Sequence, residues 1–129
     1  MPDQMLDHVS IGVRDLKAAK RFYDATLKPL GYSCLNEFDG ALGYGGTAAA
    51  LWVIAVESPV PPDAKSGLHF CFTAPDRQSV AAFHDAALKT GGRDNGKPGL
   101  RTDYGANYYA AFVVDPDGYR IEAYCSAAA

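Results

Sequence analysis

The sequence predicts an α+β fold built from two tandem copies of one βαβββ unit. Three observations lead there. Shifting the chain by 61 positions lays His8 on His69, Asp15 on Asp76, Phe22 on Phe83, Asp24 on Asp85, Ala25 on Ala86, Leu27 on Leu88, Lys28 on Lys89 and Gly31 on Gly92, more identity at one offset than average residue usage supplies. Each matched stretch opens with strand-like alternation and continues at helical spacing. Each is followed by further strand-like runs set off by glycine-rich or Asp-Pro-Asp-Gly stretches.

In residues 8–13, Val9, Ile11 and Val13 share one face of a strand while His8, Ser10 and Gly12 share the other, so His8 points away from the apolar side. Asp15 is the expected N-cap of a helix running to about Lys28, with Leu16, Ala19, Phe22, Tyr23 and Leu27 on its inner stripe and Pro29 and Gly31 as its stop. Such a helix covers the apolar side of the strand. Residues 32–57 read as strands between glycine-rich turns, the last of them from Ala49 to Val56 around Trp52. Ser58 to Ser66 contains Pro59, Pro61 and Pro62, which continue neither strand nor helix, and serves as the linker.

The second copy follows the same logic. Leu68, Phe70 and Phe72 alternate with His69, Cys71 and Thr73, which again places the histidine on the less apolar face. Asp76 caps a helix through about Thr90, carrying Val80, Phe83, Ala87 and Leu88 inward, and Gly91-Gly92 ends it, with Gly92 repeating Gly31. A polar glycine-rich stretch spans Arg93 to Gly105. Two strands follow, Tyr108 to Val114 and Tyr119 to Tyr124, joined by the turn Asp115-Pro116-Asp117-Gly118. In the last strand Tyr119, Ile121 and Ala123 share one face, and Arg120, Glu122 and Tyr124 the other.

Bulk properties narrow the function class. The 129 residues fit a single domain, with units at about 5–57 and 67–126 and the linker at 58–66. A hydrophobic share of 48% and a charged share of 21% describe an ordinary globular protein, and no apolar run approaches a membrane span. The net charge of −3, without clustered Lys or Arg, argues against a nucleic-acid surface and leaves a small molecule as the expected partner. The opening residues carry neither a basic nor an apolar signal segment, which makes the cytoplasm the expected compartment. Cys34, Cys71 and Cys125 form no CxxC pair and read as buried reduced thiols. His8 and His69, in equivalent strand positions, lack only a carboxylate to make a first-row metal site with room for substrate. His84 replaces Tyr23 in the repeat and reads as a surface or helix-packing residue outside that set.

The repeat, the opening His8-x-x-Ile-x-Val-x-Asp, the Gly67-Leu-His69-x-x-Phe start of the second unit and the closing Asp115-Pro-Asp-Gly-x-x-Ile-Glu122 together resemble the vicinal oxygen chelate superfamily over nearly the whole chain. That superfamily includes glyoxalase I, extradiol dioxygenases, fosfomycin-resistance thiol transferases and metal-free bleomycin-resistance proteins. The resemblance implies curved, open mixed sheets around a cavity with the helices outside, and a homodimer whose metal ligands converge within or across subunits. It assigns His8, His69 and Glu122 as ligands of a divalent metal (Zn, Ni, Mn or Fe), with Trp52 in the fourth ligand position. Trp52 neither ligates nor takes a proton, which points away from glyoxalase I itself and toward a three-ligand enzyme of lyase, isomerase or dioxygenase type. Such a set leaves open positions for two vicinal substrate oxygens. The alternative is a metal-free module holding a flat or cationic ligand between aromatic walls. Around the ligands, Tyr108 and Tyr124 are catalytic candidates, and Ser10, Trp52, Tyr109 and Arg120 are candidate substrate contacts, Arg120 as a clamp for an anion.

Overall fold

The computed structural model describes residues 4–61, 63 and 65–126. Pro62, one of the linker prolines, lies outside them. Two βαβββ units are present. The first comprises β1 (Val9–Val13), α1 (Leu16–Leu27) with a 3-10 turn at Lys28–Leu30, β2 (Ser33–Phe38), β3 (Ala41–Gly45) and β4 (Ala49–Ala55). The second comprises β5 (His69–Thr73), α2 (Arg77–Lys89), β6 (Arg93–Leu100), β7 (Tyr109–Val114) and β8 (Arg120–Cys125). Each unit makes its own four-stranded mixed sheet, ordered β1-β4-β3-β2 and β5-β8-β7-β6. The first strand of each unit lies parallel to the last and the remaining pairs are antiparallel. Neither sheet closes, so β1 and β5 are both edges.

The local chemistry matches the sequence reading at the helix starts. Asp15 Oδ1 accepts from the Ala18 N–H at 3.2 Å, and Asp76 Oδ1 accepts from the Ser79 N–H at 2.7 Å, each supplying a partner to an otherwise orphaned helix donor. At the helix ends the repeat slips by one residue. Gly31 has φ 95°, but its conformational counterpart is Gly91 at 98°, not Gly92, because the left-handed position favours glycine at either site. Gly92 is constrained by space instead: a Cβ there would stand 2.6 Å from the Phe22 ring and 2.9 Å from the Ala87 carbonyl.

Arg93–Leu100, read from the sequence only as a polar glycine-rich stretch, is strand β6. Its ladder to β7 shifts register between Asp94 and Gly96 and again between Gly96 and Gly99. Such bulges admit glycine and proline into an edge strand and erase its alternation.

One core serves both units. Ile11, Val13, Phe22, Tyr23 and Val53 from the first pack with Val80, Phe83, Ala111, Val113 and Ile121 from the second, all 5% exposed or less. Burying each large apolar side chain contributes about 1.5–3 kcal/mol. Polar clasps join the halves: Tyr119 Oη donates to the Gly12 carbonyl at 2.6 Å, and Tyr23 Oη to Asp115 Oδ2 at 2.5 Å. Asp115 also accepts from the Asp117 and Tyr119 N–H groups. Asp115 is thus a buried hub at the start of the Asp-Pro-Asp-Gly reversal. His84 packs inward from α2 and pairs with Asp94 of β6 at 2.8 Å, which makes it a helix-packing residue.

The helices cover one face of each sheet, leaving the opposite faces bare. On the second sheet the ladder registers align His69 with Arg120, Cys71 with Glu122 and Phe112, and Thr73 with Tyr124 and Ala110 on that bare face. Cys125 is buried, Cys34 half-buried, and all three cysteines are unpaired. Cys71 corrects the expectation of three buried thiols: it sits on edge strand β5 and is exposed as a residue.

Candidate metal and substrate site

The site grows from the alternation of β8. Ile121 and Ala123 face the helices, which sends Glu122 to the bare side together with Arg120 and Tyr124. Only 4% of the Glu122 side chain is exposed, yet both oxygens are engaged. His69 Nε2 lies 2.9 Å from Oε1, and Tyr108 Oη donates to Oε2 at 2.5 Å. A buried carboxylate held this way avoids the cost of an unsatisfied buried charge.

An aromatic wall surrounds the pair. Tyr124 stacks on Tyr108 at 4.4 Å between ring centroids, Tyr104 meets Tyr108 edge-on at 5.3 Å, and Phe112 lies against His69 at 6.1 Å. His69, Tyr104, Tyr108, Phe112 and Glu122 line an open cavity of about 470 Å³. Burial, and then the bond to Glu122, push the Tyr108 phenol above its ordinary range. The Cys71 thiol lies against the same groups, and burial of its sulfur with the nearby Glu122 charge pushes it up to about 12.

His8 stands apart from this cluster. Its Nδ1 pairs with Asp7 at 2.7 Å, and half of its side chain is exposed. His8 and His69 do line one cleft of about 400 Å³ between the β1 and β5 edges, with Tyr32, Tyr44 and Phe70 among its walls. Duplication therefore brings the two histidines to a common rim. Among the described residues, however, no three of His, Cys, Asp and Glu converge on one metal position, so His8 does not join His69 and Glu122 within a single chain.

The remaining sequence candidates separate by strand parity. Tyr124 is in the aromatic wall, and Arg120 lies beside His69 on the same face. Tyr109 faces the core side instead, with the Arg77 guanidinium 5.1 Å over its ring. Ser10 and Trp52 are paired on the bare face of the first sheet, away from Glu122. Ser10 is the repeat partner of Cys71, and Cys71 pairs with Glu122 as Ser10 pairs with Trp52, so Trp52 occupies the Glu122 position of its unit. It stacks on Phe38 at 6.2 Å. Phe112 and Cys71 are site residues the first reading passes over, although parity along β7 and β5 places both on the His69 face.

The donor set of imidazole nitrogen and carboxylate oxygen suits a divalent first-row ion. His69 and Glu122 already point at one another over an open cavity, and that geometry fits two ligands of such an ion.

Comparison with known proteins accords with this architecture. Residues 5–123 match the family model of the Glyoxalase/Bleomycin resistance protein/Dioxygenase superfamily. The crystal structure of a glyoxalase/bleomycin resistance protein from Albidiferax ferrireducens T118 superposes with a TM-score of 0.83 at 31% identity, covering 94% of this chain and 98% of that one. The protein YqjT of Bacillus subtilis (strain 168) is 25% identical over 122 residues, which is 91% of this chain and 95% of YqjT. The fosfomycin resistance protein FosX from Mesorhizobium loti shares the fold alone, with a TM-score of 0.67 at 15% identity over 96% of this chain and 92% of FosX. The chain belongs to the Glyoxalase/Bleomycin resistance protein/Dioxygenase superfamily.

Proposed function

We propose that the protein is a metalloenzyme that binds a divalent ion through His69 and Glu122, with His8 supplied by a second copy of the chain, and acts on a small substrate bearing two adjacent oxygens. The observation that carries this reading is the His69–Glu122 pair at 2.9 Å, oriented by Tyr108 and open to a cavity. A divalent ion bound there supplies Lewis acidity to vicinal oxygens, the chemistry common to lyase, isomerase and dioxygenase reactions of this kind. The chain's own residues do the positioning. Tyr108 fixes the Glu122 carboxylate, Tyr124 holds Tyr108 by stacking, and Phe112 and Tyr104 form aromatic walls of the cavity. Arg120, beside His69, is available to an anionic group, and Ser10 and Trp52 of the second copy complete the substrate surface. The exposed β1 and β5 edges and the separation of His8 from Glu122 support assembly as a homodimer. Titration of chelator-stripped protein with Zn, Ni, Mn and Fe(II) salts tests the proposal: saturable binding that Glu122→Gln weakens at least a hundredfold is expected, and absence of binding by all four ions would refute it.

The Phe38–Trp52 stack favours a second reading, a metal-free module that holds a flat ligand on that platform. It predicts affinity for planar aromatic ligands that neither chelators nor Glu122→Gln alters.

A further inference from the structure

We propose that Arg101 is the anion-recognition residue of the site, so that the substrate carries a carboxylate or phosphate group a few carbon atoms from its chelating oxygens. The inference rests on the chelating reading above and adds a substrate class to it. Gly96 pairs with Phe112, and Phe112 pairs with Glu122, so these positions form one cross-strand row on the bare face of the second sheet. Two strand spacings, about 10 Å, separate the β6 end of that row from Glu122. The β6 end carries no side chain of its own, and Arg101 fills the space. Its guanidinium lies 5.3 Å over the Phe112 ring, and Nη2 donates to the Lys97 carbonyl at 2.6 Å. A Cβ on Gly96 would stand 3.3 Å from Nη2, and one on Gly99 3.1 Å from Nη1, so both glycines form the seat of the guanidinium.

The backbone is fixed as firmly as the side chain. The Arg101 N–H donates to the Tyr108 carbonyl at 2.7 Å, and the Arg101 carbonyl accepts from the Tyr104 N–H at 2.9 Å, tying Arg101 to the loop that supplies two walls of the cavity. Arg101 is half-buried and makes no salt bridge among the described residues. A planar cation that is stacked, partly desolvated and left with most of its five N–H donors unused matches a carboxylate or phosphate bidentately. Arg101 is not itself a lining residue of the cavity; its guanidinium reaches the margin of the candidate site through the Phe112 ring, which is a cavity wall and adjoins His69.

Two probes with one chelating head separate this proposal from the reading beneath it: acetohydroxamate, which is neutral, and succinate monohydroxamate, which adds a carboxylate. With zinc-loaded protein, succinate monohydroxamate should bind about tenfold more tightly than acetohydroxamate. Arg101→Gln should reduce that ratio to within about twofold while leaving acetohydroxamate affinity unchanged, and Arg101→Lys should keep part of it. Equal affinities in the parent, a ratio that survives Arg101→Gln, or a ratio lost in Arg120→Gln alone would overturn the assignment. Failure of acetohydroxamate to bind would count against the chelating reading and not against Arg101. Arg101 is then read in metal-free protein, where added succinate should shift the Arg101 Nε–H NMR resonance; an unmoved resonance would overturn the proposal.

Discussion

Both oxygens of Glu122 are committed, one toward His69 and one to the Tyr108 hydroxyl, on a side chain that is almost wholly buried. Tyr108 therefore acts on Glu122 as an outer partner acts on a metal ligand, fixing its rotamer. Tyr108→Phe should keep the fold and weaken divalent-metal affinity about tenfold, measured by competition with a chromogenic chelator. Unchanged affinity would remove Tyr108 from the site. Asp115 makes a separate prediction about stability. Burial raises its carboxyl to about 6, against 3.8 for an exposed Asp, although the Tyr23 hydroxyl and two N–H groups oppose the rise. The folded state thus holds this proton more tightly than the unfolded chain does. The associated stability is complete below pH about 4 and is lost as pH rises through about 6. Relative to Asp115→Asn, the parent should lose about 2 kcal/mol between pH 4 and 7 in urea unfolding. A difference between the two proteins that stays constant with pH would show that Asp115 titrates normally.

At the level of elements, the two sheets solve one packing problem in opposite ways. In the second unit Glu122 pairs with the large Phe112 on β7; in the first, the equivalent pair is Trp52 with Gly43 on β3. A Cβ at Gly43 would lie 2.9 Å from the Trp52 ring. Gly43→Ala should therefore push Trp52 off its seat, cost about 1–3 kcal/mol in thermal unfolding and shift the emission of the chain's single tryptophan. An unshifted spectrum would show that Trp52 is not held there. These pairings also mark what the sequence makes legible. Alternation reveals β1, β5 and β8, and with them the faces of His69 and Glu122, because each of those strands keeps one face apolar; β7 is apolar on both faces, so its sequence shows the strand but not which side each residue takes. Strand β6 is hidden, since its bulges at Gly96 and Gly99 break the period on which the reading depends. The seat of Arg101 is hidden with it. Tyr109 falls on the other face for a simpler reason: a one-residue step along β7 reverses the side a residue takes.

For the whole molecule, the 61-residue repeat foretells two βαβββ units, and both are present, packed around one core. It also suggests that equivalent histidines meet, which holds only as far as a common cleft. Helix packing and the Tyr23–Asp115 and Tyr119–Gly12 clasps fix the two units so that Glu122 opens onto a different cavity from His8. No periodicity in one chain encodes that relation. The proposed site completed by a second copy rests on that separation, and chain mixing tests it most directly. His8→Ala and Glu122→Gln proteins should each bind no divalent metal alone. After co-refolding in equal amounts, the mixture should bind about one quarter as many ions per chain as the parent, since half of the dimers then contain one intact site. A mixture that stays as empty as its components, or His8→Ala protein that binds metal as the parent does, would contradict the shared site.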